Sequence, residues 1–171
     1  MKSKKSSKQP VLSPRQVSDR VFRRLKKYEK LSGLEQFAMF MGMAQVLEFG
    51  LKSLLIRLFN YDPDRIERWT LGRTTRELKN CGLRGDFIAL LEDFIDYRNY
   101  IAHEYLANEA ILGSILRRSP GRLARKHLQR GIFKIEEAVV IYDWLEQHDA
   151  WLPSVDGEPL DSRRSRVSQA Y

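Results

Sequence analysis

Residues 34–59 read LEQFAMFMGMAQVLEFGLKSLLIRLF, and their periodicity decides the fold. Phe37, Phe40, Met41, Ala44, Leu47, Leu51, Leu54, Leu55 and Leu58 recur every three or four positions, as on one apolar face of a long helix. Glu48 and Lys52 stand four apart on another face, in the favourable order. Met39, Met41 and Met43 suit packing rather than metal ligation. Ser32-Gly33 opens the segment, and Asn60-Tyr61-Asp62-Pro63-Asp64 closes it with turn chemistry.

Working outward, the same period recurs without strand-like alternation or an internal repeat. Toward the N-terminus, Ser13-Pro14 starts a helix carrying Val17, Val21, Phe22 and Leu25. Toward the C-terminus, a short helix is expected around Thr74 to Lys79. A helix over residues 84–105 follows, then a helical piece to about Leu116. Arg117-Arg118-Ser119-Pro120-Gly121 makes a loop. The last helix, over residues 132–146, has Ile132, Ile135, Val139, Tyr142 and Leu145 near one face and ends at Trp151-Leu152-Pro153. Trp69, Trp144 and Trp151 read as packing residues. The expected architecture is all-α: an up-and-down bundle of four to five helices in one domain over residues 15–151. A flexible basic tail over residues 1–14 and a disordered tail over residues 152–171 flank it.

The chain of 171 residues is long enough to bury a sizeable core. Its net charge of +8 is unevenly placed. Residues 1–30 hold eleven Lys or Arg against Asp19 and Glu29, a local net of +9, while the remainder is close to neutral. Such an arm either steers the protein to polyanions in a salt-dependent way or simply solubilises it. A second basic stretch, Arg117 to Arg130, has six Lys or Arg and no acid, and reads as a solvated face or an RNA-tracking surface. No apolar run reaches the roughly 18–20 residues that a membrane span needs, since Lys52 and Arg57 break the best candidate. Cys81 is the only cysteine, so no internal disulfide or multi-cysteine zinc site can form, and a cytoplasmic location is expected. Cys81 reads as a structural thiol. Glu92 and Asp96 suit an exposed acidic face rather than a metal, and neither a metal nor a cofactor is expected.

The chemistry concentrates in residues 96–105, DYRNYIAHEY. Phe87, Leu90, Leu91, Phe94, Arg98, Ile101 and Tyr105 follow one helical stripe, apolar until Arg98. A core-facing guanidinium is costly unless an anion meets it. On an ideal helix Arg98 and His103 point about 140° apart and lie roughly 7.5 Å apart along the axis. Either the helix distorts near Ala102, or the pair lines the edge of a groove, which a two-fold dimer would complete. Asn99 precedes His103 by four, so its carbonyl is placed to orient the imidazole. His103 and Arg98 suit phosphodiester chemistry: an acid or base near neutrality, and a bidentate phosphate clamp. His127 and His148 lack such a context and read as surface residues.

The string Arg98-Asn99-x-x-x-His103-x-Tyr105 resembles the R-x-x-x-x-H signature of the HEPN family (higher eukaryotes and prokaryotes nucleotide-binding domains). It is closest to the HepT-type toxins. The segment LEFGLKSLL, Leu47 to Leu55, is also similar to a family helix. The resemblance covers about residues 30–150 and implies a small helical homodimer acting as a metal-independent endoribonuclease in toxin–antitoxin or phage-defence systems. It implies phosphate binding and transition-state stabilisation by Arg98 and acid–base catalysis by His103, with Asn99 in support. It further implies that Tyr105 is the tyrosine to which a partner nucleotidyltransferase antitoxin attaches AMP. The basic N-terminal arm and the Arg-rich C-terminal segment lie outside the signature. The rival expectation is a non-catalytic HEPN-like module that binds nucleic acid, nucleotide or a protein partner through the same cleft.

Overall fold

Serine starts both of the first long elements. The Ser13 and Ser32 hydroxyls each accept from the amide three residues on, and the Gln16 and Glu35 side chains accept from the serine amides. These reciprocal caps satisfy amides that a helix start leaves without partners. They open α1 (Pro14–Leu25) and α2 (Gly33–Phe59), with a 3-10 turn at Lys26–Tyr28 between them. Asn60 ends α2 in the left-handed conformation, φ 55°, where its amide meets the Ile56 and Leu55 carbonyls. Asp62 and Thr70 cap α3 (Pro63–Ile66) and α4 (Leu71–Asn80). Then come α5 (Gly85–Tyr100), a π-helical turn at Ile101–Tyr105, and α6 (Arg122–Gln147). The computed structural model describes residues 12–105, 107 and 122–153.

Helix α6 is the axis of the fold, packing against α1, α2 and α5. Contacts along it fix the directions. Lys134 pairs with Asp93 at 2.8 Å and His127 meets Tyr100 at 4.5 Å, so α5 runs antiparallel to α6. Gly131 faces Phe40, Tyr142 bonds the Gly50 carbonyl at 3.2 Å and Glu146 pairs with Arg57, so α2 runs parallel to it. Tyr28 bonds Glu136, Arg24 also reaches Asp143, and Arg20 shares a groove with Gln147, so α1 is antiparallel.

Two glycines of the sequence allow this close approach. A Cβ on Gly50 would stand 3.1 Å from the Tyr142 ring. One on Gly131 would overlap the Ile101 Cδ1 and press the Phe40 ring. The Ile101 side chain, at the start of the π turn, thus lies over the bare backbone of Gly131 on α6.

The fold is all-helical, with no strand among the described residues, but it differs from the expectation in detail. Six α-helices are present among the described residues instead of four or five: the short helix expected around Thr74 to Lys79 is α4, and Asp62 caps a further one, α3, in the irregular region. The helix expected over residues 84–105 is α-helical only to Tyr100. The last helix starts ten residues earlier than its apolar period suggested, at Arg122, absorbing much of the basic stretch into its first turns. Leu128 and Ala124 are buried there and supply the missing apolar face. The core runs on through Trp151 and Leu152. The expected helical piece to Leu116, the basic stretch before Arg122 and both tails lie largely outside the described residues.

Helix α2 also corrects the membrane argument. It is long and apolar enough to cross a membrane by length and composition, with a mean hydropathy of 1.4 over its best window. In this fold its Phe40, Leu47, Leu51 and Leu54 are core residues instead. Lys52 is buried beside them, its Nζ bound to the Glu48 carboxylate at 2.9 Å and the Glu67 carbonyl at 2.8 Å.

One buried charge had no forewarning. Glu136 of α6 is fully buried and receives Arg24 at 2.5 Å, Lys27 at 2.6 Å and the Tyr28 hydroxyl at 2.7 Å. Burial works to raise its pKa, but the bonds from Lys27, Arg24 and Tyr28 overcome it and hold the carboxyl below 4.5. Burial and the same carboxylate push the Tyr28 phenol far up. This network ties α1 and the 3-10 turn to the central helix.

Candidate functional site at the end of α5

The apolar stripe of α5 enters the core as its spacing requires: Phe87, Leu91 and Phe94 are buried, followed by Ile101 and Tyr105. Arg98 falls on that stripe but is not a core residue. Its side chain is half-buried, and Nη1 donates to the Asn99 Oδ1 at 3.3 Å. A side chain of this length can carry its guanidinium to solvent from a position on the stripe, and the bond to Asn99 is exposed. Asn99 and His103 are exposed. The Asn99 carbonyl therefore serves the guanidinium, and among the described residues no side chain bonds the His103 imidazole.

Between Arg98 and His103 the backbone changes its winding. The turn at Ile101–Tyr105 is π-helical, with hydrogen bonds reaching five residues instead of four. Such a turn holds more residues per revolution, so positions five apart diverge less than on an ideal α-helix. The Ile101 side chain, lying over Gly131, marks where this widening begins.

Tyr105 turns away from both. It is 2% exposed and stacks on Phe37 of α2, ring centroids 5.4 Å apart and planes 7° from parallel. One rim of the ring lines a groove of about 520 Å³, bounded by Ser32 and Leu34 at the start of α2 and by Arg125 and Gln129 of α6. The structure thus separates Tyr105 from the exposed pair, placing it in a different recess.

His127, read from the sequence as a surface residue, is half-buried and packs its ring against Tyr100, 4.5 Å between centroids. Nothing in the local sequence signals this contact, which the antiparallel pairing of α5 with α6 creates. His148 is exposed but stacks on Trp144. Glu92 pairs with Lys79 at 2.7 Å and Asp93 with Lys134, so both serve as helix ties. Cys81 is buried, its thiol raised by burial and lying 3.8 Å from the Tyr61 hydroxyl, which opposes nucleophilic use.

The exposed end of α5 thus offers a solvent-reaching imidazole and a guanidinium steadied by a neighbouring amide. Together these suit proton transfer and the holding of an oxyanion. No family model, curated protein or solved structure matches the chain.

Proposed function

We propose that the chain is a metal-independent endoribonuclease of the HEPN type, serving as the toxin of a toxin–antitoxin or phage-defence system in the cytoplasm. The observation that carries the reading is the change of winding at Ile101–Tyr105, between two solvent-reaching groups that suit phosphodiester cleavage. His103 takes the proton of the RNA 2′-hydroxyl, and O2′ attacks phosphorus. Arg98 holds the non-bridging oxygens as charge builds on them. The P–O5′ bond breaks, O5′ takes up a proton, and the upstream fragment keeps a 2′,3′-cyclic phosphate.

The site is proposed to be shared by two copies. Support comes from the residual divergence of Arg98 and His103, and from an uncovered apolar stripe on α2. There Val46 is 62%, Phe49 59% and Ile56 37% exposed. The direct test is incubation of purified protein with RNA in excess EDTA. Cleavage to cyclic-phosphate ends is expected, and a 2′-deoxy substitution at the cut position blocks it. Intact RNA, or 3′-hydroxyl products, refutes the reading.

Tyr105 is the proposed AMP acceptor for a nucleotidyltransferase antitoxin. Its burial against Phe37 adds a condition: the ring must leave its stack, or be reached through the adjoining groove, for the hydroxyl to be modified. Mass spectrometry of protein co-expressed with such an enzyme is expected to show AMP-sized increments on the Tyr105 peptide. An unmodified peptide beside an active enzyme sinks this part alone. The second reading, a non-catalytic binding cleft, draws on the lack of any described side chain orienting the His103 imidazole. RNA binding without cleavage favours it.

A further inference from the structure

Tyr100 stands between Arg98 and His103 in the sequence and keeps 38% of its surface exposed. It is not a loose surface ring. His127 of α6 packs on it at 4.5 Å with planes tilted by 43°, holding the phenol while part of the ring meets solvent. On α6, Lys126 precedes His127 by one residue and Arg130 follows it by three, both exposed. Neither is in an ion pair among the described residues, whereas Lys134 one turn further on is tied to Asp93 and Glu137.

We propose that the Tyr100–His127 pair is a nucleobase-stacking subsite for single-stranded RNA, with Arg130 and Lys126 meeting the phosphates beside it. The proposal rests on the assignment of Arg98 and His103 to phosphodiester chemistry and adds the substrate's form. A π-face accepts any base, and an ordered ring loses little freedom on binding. Tyr100 and His103 are three positions apart, less than about 4.5 Å along the axis because the π turn rises less per residue than an α-helix, so a base on the ring leaves a neighbouring phosphate close to the imidazole. Exposed Asp96 lies one turn before Tyr100 on α5 and repels phosphate from that side. The backbone is therefore drawn toward the basic rim of α6. A stacked base must be free of a duplex, which selects unpaired RNA.

The test uses the full chain and a 2′-O-methyl oligonucleotide carrying a 2-aminopurine, which cannot be cleaved by the 2′-hydroxyl route. Wild-type protein is expected to bind it and quench the fluorophore. Tyr100→Ala weakens binding roughly tenfold and Tyr100→Phe by less than about twofold. Arg130→Gln and Lys126→Gln each lower the slope of log affinity against log salt by about 0.7. His127→Ala, which leaves the phenol in place but unsupported, reduces the quench. Undiminished binding and quench in Tyr100→Ala, or no binding by the wild type, overturns the subsite. Binding and quench by wild-type protein that cleaves no RNA leaves the subsite standing while the ribonuclease assignment falls. Cleavage unaffected by Tyr100→Ala, with equal binding, does the reverse.

Discussion

Replacing both cations around Glu136, by Arg24→Ala with Lys27→Ala, is expected to destabilise the fold by about 3–5 kcal/mol and to invert its response to acid. In the native protein the carboxyl is fully buried, with two cations and the Tyr28 hydroxyl at bonding distance. Its folded pKa is depressed below the ordinary 4.5. A depressed carboxyl contributes stability that is present above its unfolded pKa and is lost as pH falls through the folded one. Without Arg24 and Lys27 the same carboxyl keeps its burial but loses its compensation, so its pKa rises above the unfolded value. Stability then grows as pH drops toward the ordinary carboxylate range and declines as pH rises above it. Urea melts between neutral and mildly acid pH read this directly. At neutral pH the loss corresponds to roughly 10 °C in Tm for a chain of this size. The same sign of slope in both proteins would show that the two cations do not set the charge state of Glu136.

Loss of RNA cleavage by a factor of about 10²–10⁴ is expected for His103→Ala under the proposed ribonuclease chemistry. Because His103 is exposed and bonded to no described side chain, the substitution leaves the fold intact, checked by an unchanged melt. Arg98→Ala is expected to be as damaging. Arg98→Lys restores little, since an ammonium lacks the two parallel donors that grip a phosphoryl group. Both losses fall on kcat more than on KM if the groups act mainly on the transition state. A shared cleft adds a sharper expectation: mixing inactive His103→Ala and Arg98→Ala proteins regenerates a fraction of the activity in hybrid dimers. No recovery with dimers present places each site within one copy. Full activity of either variant alone removes the residue from the mechanism.

How much of this was legible in the sequence varies from residue to residue. The long α2 was plain, because its Phe, Leu and Met residues hold a helical period over seven turns, and Ser32 and Asn60 carry the chemistry of its ends. The first turns of α6 were not, since Arg and Lys mask an apolar face of only Ala124 and Leu128. Glu136 could not be foreseen: its partners lie 108 to 112 residues away, and an acid in an amphipathic helix ordinarily faces water. In the candidate site, periodicity put Arg98 on the buried stripe but could not see that its head escapes to Asn99. The divergence of Arg98 and His103 did pose the question that the π turn addresses. The turn begins at Ile101, whose side-chain tip lies over Gly131 thirty residues on, a contact that no local pattern records.

The antiparallel setting of α1 on α6 has a consequence of scale. The start of α1 lies toward the Gln147 end of the central helix, with Arg20 and Gln147 in one groove. Tyr100 and His127 lie toward the other end. Twenty helical residues separate His127 from Gln147, or about 30 Å. The strongly basic leading segment therefore joins the fold at the pole opposite the exposed histidine. Under the proposed ribonuclease reading, a strand that touches both the Tyr100 end and exposed Arg15 in the first turn of α1 must span most of the molecule's length. On that reading substrate length decides whether the first turn of α1 takes part, since only strands long enough to reach Arg15 gain from it.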